Sequence, residues 1–154
     1  MVETEKKVWA VRAGRYGERE EACIAENIAI AGWPELNEEL PASQGSSAIR
    51  RILERTYEGE SKRVLGNWEG QLDRFVNEMR AGDYLIMPRK GGTIAVGIVA
   101  GEDDPEVKGG YHFRSEAKPG YQHVRGVKWC VDDIPRSHLA DDLRNSYSDR
   151  KSVV

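Results

Sequence analysis

Two short motifs carry the residue types of metal-dependent nucleases, in which a carboxylate binds Mg²⁺ and a lysine polarises the phosphate or the attacking water. Glu106 and Lys108 form one Glu-x-Lys motif, and Glu116 and Lys118 form the second. Both motifs lie in segments with glycine and proline, which predict loops rather than a rigid scaffold. A three-residue match also arises readily by chance in a chain that is 32% charged. We therefore expect solvated loops at both motifs and keep metal-dependent DNA cleavage as a minor alternative.

Histidine, serine and cysteine residues show no catalytic or metal-binding pattern. His112, His123 and His138 are scattered, and the serines lie in predicted loops and helix caps without the nucleophile elbow of a hydrolase. Cys23 and Cys130 are far apart and lack ligand spacing, so they predict neither a zinc site nor a disulfide framework. Unpaired cysteines fit a reducing cytoplasm. We expect a protein that uses no metal or cofactor and performs no catalysis itself.

Aromatic residues at the ends of predicted strands are candidates for a pocket, because a ring can stack on a flat heterocycle. Four rings have this position: Tyr16, Trp33, Tyr111 and Phe113. Trp33, beside a glycine and a proline, is equally compatible with a pocket and with the core. Trp9 and Trp129 favour the core, and so does Trp68, because it lies in the apolar stripe of a predicted helix.

Basic residues lie in small groups, although the whole chain is acidic. A net charge of −3 and a pI near 5.7 argue against nucleic-acid binding by overall charge, so a local patch is required. The pairs Arg50–Arg51 and Arg89–Lys90 border glycine-containing loops with few acids nearby. A solvated surface balanced by acids is an equally good interpretation. As phosphate contacts we expect six residues: Arg12, Arg50, Arg51, Arg89, Lys90 and Arg125.

The elements that must position these residues follow from hydropathy and from turn residues. Apolar and β-branched runs predict strands over residues 7–13, 27–33, 83–88, 93–101, 111–114 and 121–131. Helices are predicted over 18–25, from position 46 or 47 to a break at Gly59, from Ser61 to a stop at Gly82, and over 137–143. Residues 89–92 predict a hairpin turn, and the short connections of the late strands predict antiparallel pairing.

Length and composition bound the architecture. The chain has 154 residues, of which 39% are hydrophobic, and no apolar run approaches the roughly 18 residues of a membrane span. The first residues lack the apolar segment of a secretory signal. We predict an α+β domain over residues 1–145, a small curved mixed β-barrel flanked by helices, with a polar tail or linker over 146–154. The expected location is the cytoplasm.

Three stretches of the sequence resemble known families when they are taken in order. Residues 68–70 (Trp-Glu-Gly), 82–86 (Gly-Asp-Tyr-Leu-Ile) and 94–99 (Ile-Ala-Val-Gly-Ile-Val), with Phe75 and Met79, are similar to the pattern of EVE domains. Residues 127–139 resemble the closing strand and helix of YTH domains. Both families belong to the PUA-like group, whose fold is a small curved β-barrel with flanking helices. Residues 9–18 resemble the N-terminal domain of Mrr-type restriction endonucleases, where such a module precedes a nuclease domain.

These resemblances imply a domain that reads a base flipped out of its stack and held between aromatic walls. EVE and YTH domains and their SRA-like relatives favour modified bases, often methylated ones, and burying a methyl group stabilises a complex by about 0.8 kcal/mol. Trp33 and residues 14–16 match YTH pocket positions, Trp68 and Gln71 match EVE helix positions, and Tyr111 or Phe113 would replace a second cage tryptophan. The implied base pocket comprises Gly14, Arg15, Tyr16, Trp33, Trp68, Gln71, Tyr111 and Phe113.

We therefore interpret the chain as a reader of DNA with a modified base, first of all a methylated one, in a modification-dependent restriction system of antiviral defence. Its expected partners are that DNA and a nuclease domain or subunit, without a membrane. An RNA-binding PUA-like module is the main alternative, and a protein-interaction domain without a small ligand is a further one. The base that is read, its sequence context and the oligomeric state stay open.

Overall fold

Runs of β-branched and aromatic residues form the strands of one mixed sheet. The computed structural model describes residues 6–14, 16–138 and 152–153 of the chain. Within them the strands are β1 (Val8–Val11), β2 (Ile28–Ala31), β3 (Tyr84–Pro88), β4 (Thr93–Val99), β5 (Tyr111–Phe113), β6 (His123–Pro135) and β7 (Ser152–Val153). The first six correspond to the six predicted strands, most of them with shorter ends, and β6 extends further than expected.

One helix lies between β1 and β2, and two amphipathic helices lie between β2 and β3. The α-helices of the described residues are α1 (Glu20–Glu26), α2 (Ser46–Thr56) and α3 (Lys62–Asp73). The Ser61 hydroxyl caps α3 by accepting a hydrogen bond from the Val64 N–H at 3.2 Å, as its position predicts. A π-helical turn over Arg74–Glu78 follows α3, so the helical region ends before Gly82. Gly82, with a φ of 92°, lies in the turn that leads to β3.

The sheet is strongly curled because β6 changes partners along its length. The strand order is β2-β6-β4-β3-β1-β7, and β5 also pairs with β6. The start of β6, through Gly126, pairs with β2 and β5, and the remainder, from Val127, pairs with β4. These pairs and β3–β4 are antiparallel, which confirms the prediction for the late strands β3 to β6, whereas β1 runs parallel to β3. The result is a half-barrel with flanking helices, which confirms the predicted small curved barrel.

A buried carboxylate fixes β1 against the turn before β3. Trp9 is 1% exposed, and its indole N–H donates to Asp83 Oδ2 at 2.9 Å. The same carboxylate accepts hydrogen bonds from the backbone N–H groups of Lys7 at 3.2 Å and Arg80 at 3.0 Å. A buried carboxylate with three donors is well satisfied and therefore stabilises this junction. It thereby fixes the start of β1 beside the start of β3.

Near the C-terminus one prediction differs from the structure and another lies mostly outside the described residues. The helix predicted over 137–143 begins as a 3₁₀ turn at Arg136–His138, and its remaining residues lie outside the described part. Ser152 and Val153 pair with Ala10 and Val11 of β1, whereas their polar surroundings predict an unpaired tail. The other residues of that tail and the predicted boundary at 145 also lie outside the described part. Among the described residues, no helix is both long enough and apolar enough to cross a membrane.

Candidate nucleic-acid interface

A basic cleft opens where the loop after β1 faces the turn between β3 and β4. Its volume is about 320 Å³, which lies within the roughly 300–1,000 Å³ of small-molecule sites. The residues that line the basic cleft are Arg12, Ala13, Gly14, Tyr16, Gly17, Pro88, Arg89, Lys90 and Arg136. Five of these belong to the predicted site: Arg12, Gly14, Tyr16, Arg89 and Lys90. Arg15, which was also predicted, lies outside the described residues.

One buried carboxylate joins α1 to the β3–β4 turn beneath the basic cleft. Glu20, the first residue of α1, is 5% exposed, and its Oε2 accepts a hydrogen bond from the Lys90 N–H at 3.0 Å. Its Oε1 lies 3.5 Å from Arg89 Nε. Arg89 also donates to the backbone carbonyl of Asp132 on β6 at 3.0 Å. The Arg89 guanidinium therefore ties α1, the β3–β4 turn and β6 together, and its charge is largely compensated.

Two other cations of the basic cleft keep an uncompensated charge. Arg12 and Lys90 are exposed, and within the described parts of the chain neither side chain forms an ion pair or hydrogen bond. Arg136 adds a third exposed cation at the rim, and its backbone N–H donates to Gly92 O at 3.1 Å. Cations grouped around a cavity favour an anion such as a phosphate.

Tyr16 presents an aromatic ring beside these cations. It is 75% exposed, compared with 42% for Tyr84 and 43% for Val131, the other exposed large hydrophobic residues of the described part. Gly14 and Gly17 have φ values of 93° and 73°, which only glycine adopts readily, so the loop turns tightly on both sides of the ring. The Tyr16 N–H donates to Glu18 Oε2 at 3.0 Å. The loop thus exposes the Tyr16 ring, which can stack on an unpaired base.

Trp33 lies outside the basic cleft, which corrects the prediction that its ring stacks on a base. The ring is 4% exposed and belongs to the hydrophobic core. Trp68 contacts it edge-on, with ring centroids 6.2 Å apart, and Tyr57 packs against Trp68 at 4.9 Å. We call Trp33, Trp68 and Tyr57 the inner aromatic cluster. Gln71, also on α3, is half-buried and does not line the basic cleft.

Tyr111 and Phe113 do not supply a second pocket wall either, because both rings pack against His123. The Tyr111 ring is nearly parallel to the imidazole, with centroids 6.1 Å apart, and the Phe113 ring lies at 5.2 Å. These contacts form where β5 pairs with the start of β6. Tyr111 thus packs against the hydrophobic core beside the inner aromatic cluster, Phe113 packs against His123, and neither ring lines the basic cleft.

Hydrogen bonds of His123 and Tyr111 hold the segment that follows Trp33. His123 Nε2 donates to Leu36 O at 2.7 Å, because a carbonyl can only accept, and Nδ1 accepts from the Tyr111 hydroxyl at 2.9 Å. The Tyr111 oxygen in turn accepts from the Leu40 N–H at 3.0 Å. Burial raises the pKa of Tyr111 to about 12 and lowers the pKa of His123 below its ordinary value. Both side chains are therefore neutral near pH 7.

Three of the predicted phosphate contacts lie elsewhere in the molecule. Arg125 is 8% exposed and donates to Met79 O at 2.8 Å, so the prediction that it contacts a phosphate is wrong. Burial lowers the pKa of this guanidinium. Arg50 forms ion pairs with glutamates of α2 and α3 at 3.2 and 3.1 Å, which compensate its charge. Arg51 is exposed on α2 and does not line the basic cleft.

The two Glu-x-Lys motifs also lie outside the basic cleft. Glu106 and Lys108 border one shallow cavity, and Glu116 and Lys118 border a second. Arg114, in an ion pair with a glutamate of α1 at 2.6 Å, borders both. Across the described ranges, no group of three His, Cys, Asp or Glu residues is arranged to hold a metal ion. The geometry therefore adds no support to the nuclease alternative.

Arg136 and Pro88 complete the basic cleft, although sequence reasoning did not select them. Pro135 pairs with Thr93 at the end of the β3–β4 hairpin, and this register brings Arg136 to the hairpin turn. The hairpin and the closing strand were both predicted. Their register could not be read from the sequence, because it depends on long-range pairing.

Comparison with known proteins gives a family without an assigned activity. No curated protein matches the chain. A family model described as a domain of unknown function (DUF8426) matches residues 9–151, a range that contains every residue of the basic cleft. The chain therefore belongs to the DUF8426 family.

Proposed function

We propose that this chain binds nucleic acid through the basic cleft and recognises DNA that carries a modified base. The observation that carries the proposal is the juxtaposition of two uncompensated cations, Arg12 and Lys90, with the exposed Tyr16 ring around one cavity. Cations bind phosphates and an aromatic ring stacks on a heterocycle, so the cleft can bind both the phosphate and the base of a nucleotide.

The energetics require both kinds of contact. Extruding a base from a duplex costs a few kcal/mol. Stacking on one aromatic ring stabilises a bound base by about 1–3 kcal/mol, so the Tyr16 ring by itself at most offsets this cost. Arg12 and Lys90, with Arg136 at the rim, supply the remaining stabilisation through phosphates. A modification that weakens pairing in the duplex or adds apolar area to the base makes extrusion more favourable.

The resemblance to EVE and YTH domains supports a modified base, with methylated bases as the first candidates. In this proposal Tyr16 takes the stacking role that was expected of Trp33. The chain supplies recognition rather than cleavage, and its partner is a nuclease domain or subunit of a restriction system. The free thiols of Cys23 and Cys130 support a location in the cytoplasm.

A single-stranded RNA is the second candidate ligand. The observation that favours it is the 75% exposure of Tyr16, since an unpaired base can stack on such a ring without first leaving a duplex. Contacts to the 2′-hydroxyl would then distinguish RNA from DNA.

A binding panel tests the proposal. Fluorescence anisotropy at one fixed salt concentration compares DNA duplexes with different methylated or otherwise modified bases, the unmodified duplex, and single-stranded DNA and RNA. We expect tightest binding to one modified duplex. Tyr16→Ala should weaken that binding by about 5- to 150-fold, which corresponds to the roughly 1–3 kcal/mol of stacking, and Tyr16→Phe should retain most of it.

Lys62→Ala is the matched control, because Lys62 is an exposed cation that does not line the basic cleft. Its binding should equal that of the wild type. Tightest binding to RNA would select the second candidate. Equal affinity of wild type and Tyr16→Ala for every ligand would contradict both candidates. Cleavage of plasmid DNA by the pure protein with Mg²⁺, abolished by Glu106→Gln or Glu116→Gln, would contradict a purely recognising role.

A further inference from the structure

We infer that Glu20 is a positioning residue for nucleic-acid binding, which rests on the function proposed above. Glu20 lies beneath the basic cleft rather than in it. Its carboxylate contacts Arg89 and Lys90 of the β3–β4 turn, and its backbone N–H donates to Gly17 of the opposite wall. Through this bridge it sets the β3–β4 turn so that the Lys90 ammonium faces the same cavity as Arg12.

Three contacts make the bridge specific. Glu20 begins α1, and its N–H donates to Gly17 O at 3.1 Å, so the carboxylate is anchored to the loop that carries Tyr16. Oε2 accepts from the Lys90 backbone N–H, not from its ammonium group, which leaves the positive charge available. Oε1 pairs with Arg89, whose guanidinium also reaches Asp132.

The fit around this bridge is close. A Cβ added to Gly17 would lie 2.8 Å from Glu20 Oε2 and 3.2 Å from Lys90 Cγ, so the loop backbone packs directly over the junction. Glu20 is 5% exposed and its carboxylate contacts two groups of the β3–β4 turn, so it restricts how this turn moves relative to α1. Releasing it would free the turn that carries Lys90, while Arg12 would keep its place at the end of β1.

Two substitutions of Glu20 separate the effect of its side-chain length from the effect of its charge. Glu20→Gln keeps the side-chain length and an oxygen for the Lys90 N–H but loses the charge. Glu20→Asp keeps the charge but is one methylene shorter, so it no longer reaches the turn. We expect Glu20→Asp to weaken binding about tenfold, as Lys90→Ala does, because one charged hydrogen bond to phosphate is lost. Glu20→Gln should bind within about threefold of wild type.

The salt dependence of binding identifies the lost contact. Each phosphate contact contributes about one unit to the slope of log K against log salt concentration. Lys90→Ala and Glu20→Asp should both lower the slope by about one, and the double variant should show no further loss. Glu21→Ala is the matched control, since Glu21 lies beside Glu20 in α1 but is exposed and makes no contact to the cleft. It should bind as the wild type does.

The outcomes distinguish this inference from the proposed function. A wild type that binds no nucleic acid would overturn both. If Lys90→Ala changes the slope but Glu20→Asp keeps the wild-type slope, only the role of Glu20 is refuted. Additive losses in the double variant would refute it as well, and so would a Glu20→Gln variant that binds as weakly as Glu20→Asp.

Discussion

Tyr16 and Trp33 occupy similar places in the sequence and opposite environments in the structure. Each follows a strand and stands next to a glycine, and each matched a pocket position of the YTH pattern. Tyr16 is 75% exposed in the basic cleft, whereas Trp33 is 4% exposed in the inner aromatic cluster. A ring at a strand end therefore indicates a pocket only if the residues after it leave the ring uncovered.

The segments that follow the two rings account for the difference. After Trp33 come Leu36 and Leu40, which are 0% and 1% exposed and draw their segment into the core. Hydrogen bonds from His123 and to Tyr111 hold that segment in place. After Tyr16 the chain turns at Gly17 with a φ of 73° and enters α1, and the ring stays 75% exposed.

The largest expected effect is a difference in protein stability between variants of Trp33 and variants of Tyr16. Trp33→Ala removes a large buried ring and should lower the free energy of unfolding by about 3–5 kcal/mol. Tyr16→Ala removes an exposed ring and should change it by at most about 0.5 kcal/mol. Urea denaturation followed by circular dichroism measures both. A Trp33→Phe variant, which keeps an aromatic ring, should lose less than Trp33→Ala. Equal stability of Trp33→Ala and Tyr16→Ala would show that Trp33 is not a core residue.

Much of the fold was predictable because local signals and global packing agree. The Ser61 cap, the apolar stripe of α3 and the hairpin at residues 89–92 each depend on neighbours in the sequence. The π-helical turn after α3 was not predictable, since an apolar stripe continues through it. The parallel pairing of β1 with β3 was also missed, because it joins strands separated by three helices.

The candidate site was only partly predictable for the same reason. The loop after β1 and the hairpin turn were both selected, as was the cation of Lys90. They lie at one edge of the sheet because β1 and β3 run parallel, and the Glu20 contact there links positions 70 residues apart. Arg125 was predicted as a phosphate contact, which requires an exposed side chain. In the structure it is enclosed and bonded to Met79 O.

A smaller effect on stability tests whether the Tyr111 hydroxyl holds the segment that follows Trp33. Tyr111→Phe removes the hydroxyl that accepts from the Leu40 N–H and donates to His123 Nδ1, so two buried polar groups lose their partner. We expect a loss of about 1–3 kcal/mol in the free energy of unfolding. Tyr57→Phe, whose hydroxyl donates to Glu35 at an exposed position, is the control and should lose less. If the two variants are equally stable, the Tyr111 hydroxyl does not pin the segment.

The smallest expected effect is a dependence of the unfolding free energy on pH. It arises from the buried His123, which holds the segment that follows Trp33. Burial lowers the pKa of His123 in the folded protein, whereas the unfolded chain takes up its proton near the ordinary value of about 6.5. The unfolded state therefore binds more protons just below this pH, and the protein should lose stability as the pH falls from 7.5 to 5.5. Protonation would also place a second donor on an imidazole whose Nδ1 already accepts from Tyr111.

His123→Gln should remove the part of this acid-induced loss that His123 contributes, because glutamine takes up no proton in this pH range. The comparison uses the slope of the unfolding free energy against pH, since glutamine changes the stability at every pH. His112, whose pKa burial also lowers, provides the matched variant His112→Gln, which should remove only its own contribution. The double variant should therefore have the flattest slope between pH 5.5 and 7.5. A slope in His123→Gln equal to that of the wild type would mean that the imidazole accepts a proton in the folded protein without cost. In that case the hydrogen bonds of His123 and Tyr111 would not explain why Trp33 is buried whereas Tyr16 is exposed.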